Sequence, residues 1–164
     1  MPSIRTLEVL KWLCTLAICV NFAIACDEHM KLNKTAITFK NLPFIKANIN
    51  GSDGYLLIDT GASKTTLSKA VAKQLNLKVD STSCIAIKNV VGDIAGYQAK
   101  DTIALNIGKT KALLYVTIAP IDSLLTELSN TIDKQVIGIL GCDFLHTAEA
   151  LVDLRTKQLY ILKK

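Results

Sequence analysis

The sequence predicts a small, mainly β domain, closed into a barrel-like sheet with two short helices. Three observations support this fold class. Short apolar runs alternate with turn residues from Thr35 onward, at a spacing typical of all-β domains. Val, Ile and Leu supply most of the apolar content, which suits pleated strands. Half of the residues are hydrophobic and a fifth are charged, so the 164-residue chain can bury a core and is not disordered.

The elements follow from the pattern in chain order. Asn50 to Gly54 is a tight turn, because glycine accepts the positive φ that such turns need. Ser68 can cap a short helix over residues 68–75, a second helix is expected over residues 121–130, and residues 141–148 are a further helical candidate. Strands are expected at residues 35–40, 44–50, 55–58, 85–91, 94–100, 102–107, 112–119, 136–140, 150–154 and 158–162.

Residues 1–25 are predicted to be a secretory signal peptide. Arg5 and Lys11 precede an apolar stretch that is shorter than the roughly 20 residues needed to span a bilayer, and Asn21 interrupts it. An uncleaved signal anchor is the alternative. Residues 26–34 are then a polar tether and residues 35–164 the folded domain, which we expect to be exported in either case.

Cys26 leaves two interpretations of the processing site open. Ala23 and Ala25 fit ordinary signal peptidase, which would make Cys26 the first residue of the mature chain. A small residue before a cysteine also resembles a bacterial lipobox, and acyl chains on Cys26 would tether the protein to a membrane. We therefore expect a protein of the bacterial periplasm or envelope, anchored in the inner membrane if Cys26 is lipidated.

Three cysteines remain after removal of the signal peptide: Cys26, Cys84 and Cys142. If Cys26 is acylated, Cys84 and Cys142 are the only candidates for a disulfide in an oxidising compartment. Two unpaired thiols are the alternative, and the spacing does not separate the two cases.

Composition argues against a nucleic-acid partner. The formal charge is +5, but the nineteen basic residues are scattered and form no phosphate-binding strip. Aromatic residues, which would stack on bases, make up only 5% of the chain. His29 and His146 lack the spacing of metal ligands, so we expect neither a metal nor a cofactor.

Asp59 is the candidate catalytic residue. It follows the apolar strand at residues 55–58, so its carboxylate emerges from a rigid, water-poor element, and an unpartnered buried carboxylate is costly. Thr60 adds a hydroxyl, and Gly61 allows a sharp turn beside the carboxylate. An Asp in an ordinary strand-ending turn would be the better interpretation of the tripeptide alone.

Two motifs in order make the assignment specific. Residues 57–63, LIDTGAS, resemble the catalytic loop of the retropepsin-like aspartic proteases, the family of the retroviral proteases and their single-domain bacterial relatives. About eighty residues later, residues 139–145, ILGCDFL, are similar to the second hallmark of that family. Residues 150–153 and 159–162 resemble the closing strands of the same unit in the pepsins. The likeness runs from about residue 35 to residue 162 and implies the retropepsin fold.

The resemblance implies a mechanism that one chain cannot complete. Aspartic proteases need two carboxylates that share one proton: the ionised one activates water and the protonated one polarises the peptide carbonyl. The sequence holds no second Asp-Thr-Gly, and Asp53 lies in a turn without an apolar strand. The second Asp59 is therefore expected from another copy in a C2 homodimer. The expected partners are that copy and a peptide or protein substrate.

The resemblance also assigns supporting roles. Thr60 is expected to hydrogen-bond across the dimer axis, Gly61 to shape the loop, and Gly141 to let the second loop pack behind Asp59. The pepsins have Ser directly after Asp-Thr-Gly, whereas this chain has Ala62, as the retroviral enzymes have Ala. This departure from the pepsins leaves Ser63 without an assigned role.

A hairpin is expected where the family places its flap, the lid that closes over a bound peptide. The candidate tip residues are Val91, Gly92, Asp93 and Ile94. Tyr97 follows in the next strand; contact with substrate from the flap is one interpretation, and an ordinary strand residue is the favoured one.

These observations favour an exported, dimeric aspartic endopeptidase. A non-catalytic retropepsin-like module that binds peptides in the envelope is the second hypothesis. A lipoprotein that serves only as an interaction surface is the third, and it leaves Asp59 unexplained. Intact Asp59, Thr60 and Gly61 favour the first hypothesis.

Overall fold

The computed structural model describes residues 32–87 and 93–162. Within these ranges the predicted, mainly β fold class is confirmed, and the helical candidate at residues 141–148 forms a third helix beside the two expected ones. The strands are β1 (Leu32–Lys40), β2 (Leu42–Ile49), β3 (Ser52–Ile58), β4 (Thr66–Ser68), β5 (Val79–Ile87), β6 (Ile94–Ala99), β7 (Ile103–Ile107), β8 (Thr110–Leu114), β9 (Thr117–Ala119), β10 (Val136–Leu140), β11 (Ala150–Asp153) and β12 (Gln158–Leu162). The helices are α1 (Lys69–Gln74), α2 (Asp122–Ile132) and α3 (Cys142–Thr147).

The strands form one sheet that does not close. Its order is β11-β12-β1-β2-β3-β10-β4-β9-β6-β5, and the β7–β8 hairpin attaches to β2. Within the described residues β11 pairs only with β12, and β5 only with β6, so the two ends stay apart. The predicted closed barrel is therefore wrong. Alternating apolar residues predict that strands exist, but they do not specify which edges pair.

β1 passes from one strand partner to another along its length. Leu32 to Ala36 pair with β12, and Ile37 to Lys40 pair with β2. Residues 32–34, which the sequence assigned to the tether, therefore belong to the strand. The pattern did not indicate a strand there, because Asn33 and Lys34 are polar and only Leu32 is apolar.

The strands of the structure differ from the predicted ones in two places. The single strand expected over residues 112–119 is two strands, since β8 pairs with β7 whereas β9 pairs with β4 and β6. The short strand β4 was not predicted. Ser68 caps α1 as expected, accepting a hydrogen bond of 3.2 Å from the Val71 amide.

Two apolar clusters hold the fold together. The larger one includes Leu56, Leu105 and Leu140, which are fully buried, and removal of each such side chain from water contributes about 1.5–3 kcal/mol. The second cluster joins Phe44 to the buried face of α2, and partly buried residues of β3 and β10 pack against it. The two strands that lead to residues 59–61 and to Gly141 therefore have packed neighbours from both clusters.

Some predictions lie outside the described residues. These are the signal peptide over residues 1–25, the lipidation candidate Cys26, the tether up to residue 31, and the flap candidates Val91 and Gly92. In the described ranges, no helix has both the length and the apolar character needed to cross a membrane.

Candidate active site

Asp59 lies where two parallel strands end. In β3 and β10, Leu57 is opposite Ile139 and Ile58 is opposite Leu140. The Asp59 amide continues this pairing and donates to the Leu140 carbonyl at 3.0 Å. Because Ile58 and Leu140 are buried and Asp59 is half-buried, the chain leaves the core at Asp59. The apolar strand therefore brings the carboxylate to the surface on a fixed backbone.

The loop after β3 orients this carboxylate. The Gly61 amide donates a hydrogen bond of 2.8 Å to Asp59 Oδ1, and the Ala62 amide donates to the Asp59 carbonyl at 3.2 Å. A Cβ on Gly61 would lie 3.2 Å from Asp59 Oδ1, which is tighter than an ordinary contact. Within the described part of the chain, no group donates to Asp59 Oδ2. One carboxylate oxygen is thus held and the other is available.

Residues 141–142 of the second motif hydrogen-bond to the loop after β3 and pack against it. The Cys142 amide donates to the Ala62 carbonyl at 2.8 Å, and the Cys142 thiol donates to the Thr60 carbonyl at 3.1 Å. A Cβ on buried Gly141 would lie only 2.5 Å from the backbone carbon of Lys64. Backbone cannot move aside as a flexible side chain can, so only glycine fits at position 141.

Asp143 is a site residue that the sequence analysis did not single out. Its carboxylate accepts hydrogen bonds from the Thr65 amide at 2.9 and 3.0 Å, from the Thr65 hydroxyl at 2.8 Å and from the Phe144 amide at 2.8 Å. The Gly141 amide in turn donates to the Thr65 hydroxyl at 3.2 Å. An Asp in the first turn of a predicted helix was the available signal, because such carboxylates accept free backbone amides.

A cleft of about 350 Å³ opens beside the catalytic loop. One wall is the loop itself, and the other is the end of β5 together with β9. The residues that line it are Gly61, Ala62, Ser63, Lys64, Thr66, Ile85, Ala86, Ile87 and Thr117. A second cavity of about 430 Å³ lies between β8, α3 and β12 and contains no residue of the catalytic loop.

The hairpin expected to carry the flap is formed by β5 and β6. Ile94 begins β6 and pairs with Ile87, and Asp93 is exposed. Val91 and Gly92 lie outside the described residues. Because Ile87 also lines the cleft, the stem of this hairpin faces the catalytic loop across the cleft.

The remaining candidates lie as follows. Thr60 is exposed, and so is Ser63 on the cleft wall. Tyr97 lines a different cavity, beside α1. Cys84 is exposed, Cys142 is partly buried, and both are free thiols, so they do not pair with each other.

The comparisons with known proteins agree with this geometry. Residues 45–147, more than half of the chain, match the family described as "gag-polyprotein putative aspartyl protease". A comparison with curated proteins finds no match.

Two solved structures share the fold. The EIAV protease, solved with the inhibitor HBY-793, has a TM-score of 0.53 at 20% identity, over 69% of this chain and 93% of its own. The retroviral protease-like domain of Ddi1 from Leishmania major has a TM-score of 0.52 at 17% identity, over 73% of this chain and 87% of its own. The family match covers more than half of the chain, and the fold and the placement of Asp59 agree with it. This chain therefore belongs to the retropepsin-like aspartic protease family.

Proposed function

We propose that this protein is an exported aspartic endopeptidase whose active site forms when two copies bring their Asp59 carboxylates together. The observation that carries the proposal is the geometry of Asp59. It is half-buried at the end of a parallel strand pair, with Oδ1 held by the Gly61 amide and Oδ2 without a described donor. A carboxylate held in this way is suited to accept a proton from water.

The proposed reaction is hydrolysis by a shared-proton dyad. The ionised Asp59 takes a proton from water as the water oxygen attacks the peptide carbonyl carbon. The protonated Asp59 of the second copy donates its proton to the carbonyl oxygen, which gives a tetrahedral diol. Collapse of the diol breaks the C–N bond, and the amine nitrogen takes a proton from the dyad. One hydroxyl proton of the diol passes to the dyad in exchange, which leaves a carboxylic acid and an amine and restores the single shared proton. No metal or other cofactor is required.

An exposed apolar face supports the proposed pairing of two copies. Leu151 of edge strand β11 lies opposite Tyr160, which lies opposite Lys34 in β1, so the three side chains share one face. Leu151 is 62% exposed and Leu32, on the same face of β1, is 48% exposed. The outer edge of β11 has no partner among the described strands. Exposed apolar faces and open strand edges are common sites of association.

Sedimentation of two matched variants tests this pairing surface. Leu151→Lys is expected to shift the protein toward monomer and to reduce peptidase activity in proportion. Leu113→Lys, which changes a similarly exposed leucine on β8, should leave both unchanged. A Leu151→Lys protein that remains dimeric would place the interface elsewhere.

Peptide cleavage by wild type and Asp59→Asn tests the activity itself. We expect the wild type to cut a peptide pool, with new termini detected by mass spectrometry between acidic and neutral pH. Asp59→Asn should lose at least about a hundredfold in rate, because the residue supplies general acid and base. Equal cleavage by both proteins would contradict the mechanism and favour a peptide-binding role.

Export and lipidation rest on the sequence of residues 1–26. We expect the wild-type chain in the envelope fraction of a bacterial host. Metabolic labelling with a fatty acid separates the two processing routes, since Cys26→Ser abolishes labelling only if Cys26 carries the lipid. Unlabelled wild-type protein would support ordinary signal peptidase cleavage.

A further inference from the structure

The cleft beside Asp59 has an uneven distribution of charge. Among its described lining residues, Lys64 is the only one with an ionisable side chain. The other side chains there are small, hydroxyl-bearing or aliphatic. A substrate that enters the cleft therefore meets one positive charge and no negative charge from these walls.

The backbone of Lys64 is held in place although its side chain is exposed. Its carbonyl accepts a hydrogen bond of 3.1 Å from the Thr66 hydroxyl, and its backbone packs against Gly141. The charge is thus attached to the same rigid loop that orients Asp59, a few residues along the chain.

The Lys64 ammonium also has no carboxylate partner among the described residues. Among those residues an ion pair of 3.4 Å joins Lys46 to Asp53 across the β2–β3 hairpin, and it does not involve Lys64. An unpaired ammonium at the rim of a cleft can pair with a negative group of a ligand without first breaking an internal ion pair.

We infer that Lys64 selects substrates that carry a carboxylate close to the cleaved bond, because Lys64 lines the cleft and follows Asp59 on the same loop. The inference rests on the proposed function, because it names the substrate class of that site. A solvent-accessible ion pair of this kind contributes a preference of up to about fivefold for an acidic peptide over its neutral isostere. The preference should weaken as salt screens the charges.

Two charge-reversed variants of the full chain test the inference. Lys64→Glu reverses the charge in the cleft, and Lys78→Glu reverses an exposed lysine that does not line it, so both change the net charge equally. Wild type and both variants are given the same proteome-derived peptide pool, and residue frequencies around each cut are measured by mass spectrometry. In parallel, the same pool is passed over two immobilised proteins, Asp59→Asn with Lys64→Glu and Asp59→Asn with Lys78→Glu, and the bound peptides are identified.

The wild type and Lys78→Glu should enrich Asp and Glu at one position near the cut, whereas Lys64→Glu should lose this enrichment and favour Lys or Arg. A pool with amidated C-termini distinguishes the two sources of a carboxylate, since enrichment that survives amidation comes from side chains. Absence of enrichment in an active wild type, or equal effects of the two variants, would overturn the inference while the proposed function stands. If the wild type cuts nothing, the proposed function fails, and the captured pool still decides whether Lys64 selects acidic peptides.

Discussion

The Thr65 hydroxyl donates a hydrogen bond of 2.8 Å to Asp143 across 78 residues of sequence. Thr65 is completely buried and follows the catalytic loop, while Asp143 lies in the first turn of α3. This hydrogen bond, with the two from the Thr65 amide, ties the two family motifs to each other. The rigidity of the Asp59 loop is therefore expected to depend on Asp143, which does not itself need to contact substrate.

Asp143→Ala should destabilise the fold and slow catalysis. It leaves the buried Thr65 amide and hydroxyl without their acceptor, which costs about 2–3 kcal/mol of unfolding free energy. Urea denaturation measures the first effect, and peptide cleavage under conditions where the variant is folded measures the second. Asp101→Ala, at an exposed position, is the matched control. Equal stability of Asp143→Ala and the control would contradict the proposed tie.

Gly141→Ala should displace the catalytic loop. The added methyl group would lie 2.5–2.8 Å from the backbone of Lys64 and Thr65, so one of the two segments must shift, at a cost of about 1–3 kcal/mol. Gly51→Ala is the control, since its Cβ would meet no atom and only its positive φ of 92° is strained. We expect both variants to lose stability and only Gly141→Ala to lose kcat. Equal kcat in the two folded variants would argue against this packing requirement.

Alkylation of Cys142 should inhibit the enzyme. Its thiol contacts the Thr60 carbonyl, so an added carboxamidomethyl group would push on the loop beside Asp59. Cys84 is more exposed and lies in β5, so its alkylation should be harmless. Iodoacetamide is therefore expected to inactivate wild type and Cys84→Ser but to spare Cys142→Ser. If Cys84→Ser instead keeps its activity after iodoacetamide treatment, the sensitive thiol is Cys84 in the β5–β6 hairpin.

Acid should weaken the turn between β11 and β12. The Thr156 hydroxyl and amide, followed by the Arg155 amide, hold the pKa of Asp153 below its ordinary value. A lowered folded-state pKa contributes stability above the unfolded-state pKa, and that contribution is lost as pH falls through the folded value. The difference in Tm between wild type and Asp153→Asn should therefore shrink between about pH 5 and about pH 2. A constant difference over this range would contradict the assignment.

The position of Asp59 at the end of a buried strand could be predicted from sequence because its signals are local. The apolar strand before Asp59 and the glycine after it specify a carboxylate at the end of a buried strand. The role of Asp143 could not be predicted in the same way. It depends on a contact with Thr65, and sequence separation alone does not indicate which distant residues meet.

The sequence also did not predict that the sheet stays open, nor the three-residue strand β4. β4 is only three residues long, and Thr66 and Ser68 on it are buried polar residues, so it lacks the usual apolar pattern. The split between β8 and β9 arises where the chain changes strand partners, which no alternation of side chains records. Local periodicity predicts elements, whereas pairing depends on the folded chain as a whole.

Asp59 is proposed to be half of a site that a second copy completes. Mixing wild type with Asp59→Asn under conditions of subunit exchange tests it directly, at constant total protein. If each site needs two Asp59 residues, equal amounts of the two chains should retain about one quarter of the wild-type activity, because random pairing makes that fraction of dimers fully wild type. Retention of about one half, in linear proportion to the wild-type chain, would show that each chain works alone and would contradict a shared Asp59 dyad.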